Sequence, residues 1–499
     1  MIITGVGITV LLILIVGLAV AKRVEGDSAN YLVAGRSLGV PLVAVSLAAA
    51  AVDANATVGN TDLTADFGFW AGAALPLGLA VCLTLTGIFL AKPMNRMKLL
   101  TLGDYFRMRY NRPTEIAASV LLILSFTILL AGNLVACGYL LEQFAGVPYS
   151  WGIILAVGLI VAYTMAGGMV SSAYAALIQT IITAVAAVAV LLWVMLTYGI
   201  VIPEGMGPFD LDQLTTQTAG APINWATLIA LGIGDLVAID LIQRVLAAKN
   251  PKVAQRACFA GALGTAVIGV IFSLVALTAV AVLDISPADG PVLYTFMDDY
   301  APALIAVLVL SGVVAASFST ASGALLSCAG LTVRNIFGVR RHTGTGPDPL
   351  LRWTRLAMVP VFLVGAYFAI QVAQTGSLLV LAFDLMLASL AAPFLIGVYW
   401  KRPGVVAALT AAAVGFTVRI VFLVLTPELY GLPNDILYIS NPVFGAGFDG
   451  WATLVAGAIG FSVYILMAFV SPRRELEIAA EDQVRTELAE EREGELLKV

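Results

Sequence analysis

The chain has 499 residues, of which 60% are hydrophobic and only 11% charged, with a formal net charge of −5. A water-soluble domain carries roughly 25% charged residues, so no soluble fold hides this much apolar surface and the bilayer is the expected solvent. The apolar stretches are long and unbroken, rich in Leu, Ala, Val and Ile, which argues against the alternating pattern of a membrane β-barrel.

Thirteen apolar runs follow one another, at about 3–21, 41–65, 70–91, 115–143, 151–166, 173–199, 223–243, 255–283, 301–333, 351–372, 378–399, 404–426 and 450–470. Each is near or above the ~20 residues that cross a ~30 Å hydrocarbon core, except the fifth, which Gly167 and Gly168 cut short. The first run has no small-residue cleavage site and is followed by Lys22-Arg23, so it reads as a retained span.

Basic residues recur in alternate loops. Lys22, Arg23 and Arg36 follow run 1, and Lys92, Arg96, Lys98, Arg107, Arg109 and Arg112 separate runs 3 and 4. The same holds for Arg244, Lys249, Lys252 and Arg256, for Arg334, Arg340, Arg341, Arg352 and Arg355, for Lys401 and Arg402, and for Arg473 and Arg474. The intervening loops at 145–150, 200–222, 284–300, 373–377 and 427–449 hold no Lys or Arg. Positive loops stay in the cytoplasm, which predicts a multi-pass inner (plasma) membrane protein with its amino terminus outside and its carboxyl tail inside. That tail, Glu475 to Val499, is charged and helix-forming, and reads as a solvated cytoplasmic helix or a disordered segment, with a regulatory partner site as the alternative.

Ionisable groups inside hydrocarbon cost roughly 2.5–3.5 kcal/mol each and mark transport pathways by default. Asp53, Asp235, Asp240 and Asp384 fall well inside predicted spans, and Asp62 and Asp66 near the outer end of span 2. Arg244 lies four residues after Asp240, so a local ion pair is the simpler reading there. Arg419, in span 12, has no partner nearby in sequence.

Spans 2 and 7 look broken. Span 2 runs from Ala50 through Asp53, Asn55 and Thr57 to Asn60 in small and polar residues, and span 7 carries Gly232-Ile233-Gly234-Asp235 at similar depth. Unwound helix frees carbonyls to act as ligands, and transporters made of two inverted five-helix repeats break the first helix of each repeat. Asp53, Asn55, Thr57, Asp235 and Asp240 are therefore the candidates for solute binding or coupling. Span 9 carries Ser317, Ser319, Thr320 and Ser322, whose hydroxyls could face a monovalent cation.

Cys82, Cys137, Cys258 and Cys328 lie in or beside apolar runs without metal-ligand spacing, and the lone His342 sits in a basic loop. A disulfide framework, a zinc site and a histidine proton relay are excluded. No Ser/His/Asp constellation and no glycine-rich phosphate loop can be assembled, so the chain does not read as an enzyme. Nothing points to a nucleic acid, an organic cofactor or an obligate protein partner.

Four ordered segments carry a family resemblance. They are Tyr31-Leu32-Val33-Ala34-Gly35-Arg36-Ser37-Leu38-Gly39; Thr101-Leu102-Gly103-Asp104-Tyr105-Phe106-Arg107; Tyr163-Thr164-Met165-Ala166-Gly167-Gly168 followed by Ile178-Gln179; and Ser319-Thr320 with Arg334-Asn335 downstream. Together they resemble the sodium:solute symporter family, over spans 1 through 12. The resemblance implies an all-α polytopic fold of about 13 transmembrane helices around an inverted five-helix-repeat transporter core. It implies a first repeat at 41–199 and a second at 223–399. Outside them lie an extra amino-terminal span and loop at 1–40, carboxyl-terminal spans at 400–472, and the tail at 473–499. It also implies a sodium site made by the carbonyls of Ala49, Val52 and Ala316 and the hydroxyls of Ser319 and Thr320. Two departures stand out: Ala175-Ala176 replaces the Thr-Asp that the family usually places before Ile-Gln, and Asp53 is an added acid.

The expected activity is sodium-coupled uptake of a small organic solute by alternating access. Asp53 and Asp235 would repel a carboxylate in a low dielectric, which favours a cationic, zwitterionic or neutral amine-type solute over an organic anion. The broken stretches lack the tryptophans of a quaternary-ammonium cage, which argues against choline itself. A proton-coupled transporter of the same fold and a non-transporting membrane sensor are the alternatives.

Overall fold

The computed structural model describes residues 2–287, 290–341, 347–434, 437–473 and 475–496; His342, Arg474 and Lys498 lie outside them. Nine helices among the described residues are long and apolar enough to cross a bilayer, and three sharply bent pairs of shorter helices raise the number to twelve.

In chain order the elements used below are α1 (Ile2–Val20), α2 (Val40–Ala51), α3 (Asn60–Phe67), α4 (Phe69–Leu85), α5 (Leu102–Arg109), α6 (Arg112–Ala145) and α7 (Tyr149–Thr197). After a long loop come α8 (Ala221–Ile233), α9 (Ile239–Ala247), α10 (Pro251–Leu283), α11 (Ala303–Gly330) and α12 (Pro349–Gln371). The carboxyl-terminal part contains α13 (Gly376–Ser389), α14 (Ala391–Tyr399), α15 (Val405–Leu425), α16 (Trp451–Val470) and α17 (Glu475–Leu496). A two-residue hairpin, β1 (Glu428–Leu429) with β2 (Leu432–Pro433), is the described sheet.

At 49 residues, α7 would measure roughly 70 Å if straight, more than twice the hydrocarbon thickness. Gly168 resolves this by adopting φ 52, ψ −134, which divides the element into two spans, as the double glycine predicts. No other residue fits there, because a Cβ on Gly168 would lie 2.5 Å from the Tyr31 carbonyl oxygen. With that division the thirteen expected spans are accounted for.

Two helices form the axis of the bundle. Every residue of α11 from Val309 to Gly330 is buried, as is every residue of α13. The outer helices bury much less; α1 fully buries only Val6, Ile13 and Gly17 and leaves Ile8, Leu11, Leu12, Ile15 and Leu18 exposed. α13 packs against both interrupted spans, α2–α3 and α8–α9, and so touches the two places where the helical backbone fails.

The face that carries the basic loops is held by charge. A capping box between Thr101 and Asp104 starts α5. The buried Asp104 carboxylate then accepts both Oδ1 (2.8 Å) and Oδ2 (2.9 Å) contacts from Arg334 Nε at the end of the α11 segment. Asn335 bridges Asp104 and Glu115, and Arg340 approaches both acids at 3.6 and 3.8 Å. Burial pushes the Asp104 carboxyl up, but the Arg334 and Arg340 charges outweigh it and hold the group below the usual carboxylate range. The tail is indeed helical, yet it is docked: Arg107 of α5 pairs with Glu487 of α17 at 2.7 Å.

Candidate functional site

The first break follows from composition. α2 is built from Ala and Val and stops at Ala51; Val52 takes φ −100, ψ 62, and its N–H reaches back to Ala48. A single π turn, Asn55–Gly59, then restarts the helix, and the two halves meet at 55°. Asp53 sits at the restart. Its Oδ1 accepts the Ala56 N–H at 2.8 Å, which satisfies a backbone donor that a helix start leaves orphaned. Its Oδ2 accepts from the side-chain amides of Asn55 at 3.0 Å and Asn133 at 2.7 Å. Thr57 Oγ1 donates back to the Asp53 carbonyl at 2.8 Å. Gly59 lets this turn press on α13, since a Cβ there would lie 2.6 Å from the Gly376 Cα.

The second break lies between α8 and α9, bent by 50° around Gly234, Asp235 and the extended Ala238. Asp235 faces the Cys82 thiol of α4, and its Oδ2 is buried without a hydrogen-bond donor. Asp240, in the first turn of α9, accepts the Leu241 N–H at 2.8 Å and pairs with Arg244 at 2.7 Å, the local ion pair that the spacing allowed. Asp53, Asp235 and Asp240 lie within electrostatic range of one another, so the two breaks form one acidic interior.

α11 supplies the hydroxyls. Thr320 Oγ1 lies 3.4 Å from the carbonyl oxygens of both Ala49 and Ala50, two of the carbonyls that the end of α2 leaves without an intrahelical partner. Ser319 Oγ, one residue away, is buried and has no hydrogen-bond partner. Gln179 of α7 donates to the Ala49 carbonyl at 3.2 Å and leaves its own Oε1 unpartnered. The Ala49 and Ala50 carbonyls, the Thr320 hydroxyl and the Gln179 amide thus meet where α2, α7 and α11 pack, with the Ser319 hydroxyl one residue along α11.

Of the residues expected to hold sodium, Ala49 and Thr320 come together here, with Ser319 adjacent on α11. Ala50 joins them, although no feature of the chain singles it out from its neighbours. Among the described residues no hydrogen bond links Val52 or Ala316 to this group. Asn55 and Thr57 lie at the same break but bond to Asp53. Sequence reasoning also missed Asn133, Gln179 and Cys82 as contributors. Asn133 carried a usable signal, a lone amide in the middle of a 34-residue apolar helix. Among the described residues no cluster of three or more His, Cys, Asp and Glu could hold a metal ion.

This arrangement, two interrupted helices crossing beside a hydroxyl-bearing axis, can be set against known proteins. The sodium:solute symporter family profile matches residues 31–415. The chain belongs to that family. The sodium/proline symporter of Staphylococcus aureus strain Newman is 24% identical over 463 residues, covering 85% of this chain and 87% of the relative. The high-affinity choline transporter 1 of Caenorhabditis elegans is 23% identical over 435 residues, covering 80% and 73%. Among solved structures, a Na+-coupled sialic acid symporter in a substrate-bound outward-open state superposes with a TM-score of 0.73 at 18% identity, over 95% of this chain and 98% of that one. Mhp1, a nucleobase-cation-symport-1 family transporter, superposes at 0.58 with 16% identity, over 91% and 98%. The fold is the inverted five-helix-repeat transporter fold, and the symporter is a multi-pass membrane protein that moves a small solute with sodium and is not an enzyme.

Proposed function

We propose that this symporter imports an amine-type solute, cationic, zwitterionic or neutral, driven by sodium bound where α2 ends against α11. The observation that carries the reading is the meeting of the Ala49 and Ala50 carbonyls with Thr320 Oγ1 at 3.4 Å, beside the unpartnered Ser319 hydroxyl. A hard monovalent cation takes such oxygens and needs no carboxylate. Asp235 then remains for the solute: its buried, donor-less Oδ2 attracts an N–H group and repels a carboxylate. Asp53 is the weaker candidate for a proton or solute ligand, because three N–H donors already fill its two oxygens.

The working units are the repeats at 41–199 and 223–399, which rock about the site, in a plasma membrane with the basic loops inside. One inward charge gains about 2.3 kcal/mol per 100 mV, and a tenfold sodium gradient adds about 1.4 kcal/mol. One sodium therefore concentrates a neutral solute roughly several hundredfold under those conditions. The test is uptake and counterflow in proteoliposomes, with a panel of amines, amino acids and organic anions. Uptake of an amine-type solute that follows an imposed sodium gradient is expected. Uptake that follows a pH gradient and ignores sodium overturns the coupling, and preference for anions overturns the solute class.

A further inference from the structure

We propose that the symporter has a second, outer cation site: a docking chamber for a small organic ammonium ion, formed by Asp62, Asp66, Tyr139 and Ser377 above the first helix break. This rests on the amine-type reading given above and extends it to the route by which the solute arrives.

The chamber is a cavity of about 330 Å³ between α3, the first turn of α13, the residues Pro287, Gly290 and Pro291, and the loop at 373–375. That volume suits a small solute, since ligand pockets start at roughly 300 Å³. Val58 and Gly59, the last residues of the π turn, form part of its wall, so it stands next to the break that carries Asp53. It lies on the face whose loops contain no Lys or Arg.

Asp62 and Asp66 occupy the same side of α3, one turn apart. Like charges at this spacing destabilise a helix, and neither acid has an ion pair among the described residues. The pair is also held in place, because Asp62 Oδ1 accepts the Val292 N–H at 2.8 Å. Two further features point to an organic cation. Ser377 lines the chamber with a side chain 1% exposed whose hydroxyl has no hydrogen-bond partner. Tyr139 lines it too, its hydroxyl turned to the Ala373 carbonyl at 3.4 Å, and supplies an aromatic ring of the kind that binds alkylammonium groups. Carboxylates, a hydroxyl and an aromatic ring serve a substituted ammonium ion, whereas a bare sodium ion has no use for the ring.

The experiment uses the full chain in lipid nanodiscs with a reporter thiol at the chamber wall, Gln374→Cys; the four native cysteines are buried. Its rate of labelling is measured with two methanethiosulfonate reagents of similar size, one ending in trimethylammonium and one in sulfonate. Each rate is divided by that for a free thiol in solution. The cationic reagent is expected to be favoured by about tenfold or more, the enrichment a charged cleft gives. Asp62→Asn with Asp66→Asn removes the preference, and Asp66→Asn alone, at an exposed position, reduces it if the double variant does not fold. Tetramethylammonium chloride slows labelling in the reporter chain and has no effect once both acids are amides. Equal normalised rates for the two reagents overturn the proposal. Protection by sodium chloride equal to that by tetramethylammonium chloride at matched concentration also overturns it, because the chamber then serves the ion and not the solute. None of these readouts depends on transport, so the inner sodium site stands or falls separately in the counterflow assay.

Discussion

Asp235 and Asp384 are both buried carboxylates, on segments that touch: a Cβ on Gly234 would lie 2.2 Å from the Phe383 carbonyl. Their surroundings differ. Asp384 of α13 gathers Arg419 of α15, Tyr430 at 2.6 Å and Thr453 of α16 at 2.9 Å on one oxygen. Asp235 has a thiol for a neighbour and no basic partner among the described residues; each acid also keeps one buried oxygen without a donor, Oδ2 of Asp235 and Oδ1 of Asp384. The first arrangement ties the carboxyl-terminal helices to the axis of the bundle. The second leaves a buried carboxyl oxygen open to whatever enters the break. A buried charge that the protein itself pairs belongs to the fold, and one it leaves unpaired is a functional candidate, because desolvation is costly and selection keeps it only for a purpose.

The comparison breaks most visibly at Asp384. Replacing Asp384 with Ala strands the Arg419 guanidinium in the bundle, and loss of one partner of a buried pair costs about 3–5 kcal/mol. Thermal unfolding in detergent and the yield of monodisperse protein are expected to collapse. The double change Asp384→Leu with Arg419→Met is expected to recover most of the loss, since no charge is left unpaired. A mild Asp384→Ala phenotype removes the structural half of the comparison.

How much of this was legible in the sequence depends on distance along the chain. The interruptions at Asp53, Gly168 and Gly234-Asp235 were readable because glycine, small residues and an acid at mid-span fail locally to sustain a helix in lipid. The Asp240–Arg244 pair was readable because four residues place two side chains on one face. Arg419 declared itself as an anomaly, but its partner is 35 residues away across a bend at the α13–α14 junction, and only packing selects Asp384 over the other buried acids. The oxygens proposed for the ion are easier to name on α11, where Ser319 and Thr320 sit on a regular helix, than on α2, where the free carbonyls depend on the residue at which the helix stops.

A smaller effect is expected at Asp104, the other strongly paired acid. Asp104→Asn keeps the shape but removes the charge that Arg334 needs, a loss of about 1.5–3 kcal/mol for a hydrogen bond to a charged group. Because Asp104 is held below its ordinary range in the folded chain, its stabilisation is fully present above the unfolded value of about 3.9 and fades as pH falls through the folded value. Wild type and variant are therefore expected to differ by a constant amount from pH 7 to 5 and to converge in stronger acid. Melting curves over that range check it, and a gap that widens on acidification contradicts the assignment.

On the unpaired side, Ser319→Ala with Thr320→Ala removes two oxygens without leaving a charge behind. Stability is expected to change little. The sodium concentration for half-maximal uptake is expected to rise about tenfold or more, equivalent to at least about 1.4 kcal/mol of ion binding. An unchanged sodium dependence with intact transport moves the ion elsewhere.

The smallest change is the sharpest test of the difference between the two acids. Asp235→Asn keeps an oxygen facing Cys82 and replaces a buried charge by a neutral amide. If the charge is there for a solute, its removal leaves melting temperature unchanged or slightly higher, since the desolvation cost disappears. Affinity for cationic amines then falls by about tenfold or less, a difference of at most ~1.4 kcal/mol, while uncharged analogues compete as before. Sodium dependence is expected not to move, because the oxygens proposed for the ion lie on α2 and α11. Competition of uptake by charged and uncharged analogues of one solute, beside a melting curve, separates the possibilities. A loss of stability as deep as that of Asp384→Ala makes Asp235 a structural acid with a partner in the folded chain, and then the missing donor on its Oδ2 carries no functional meaning.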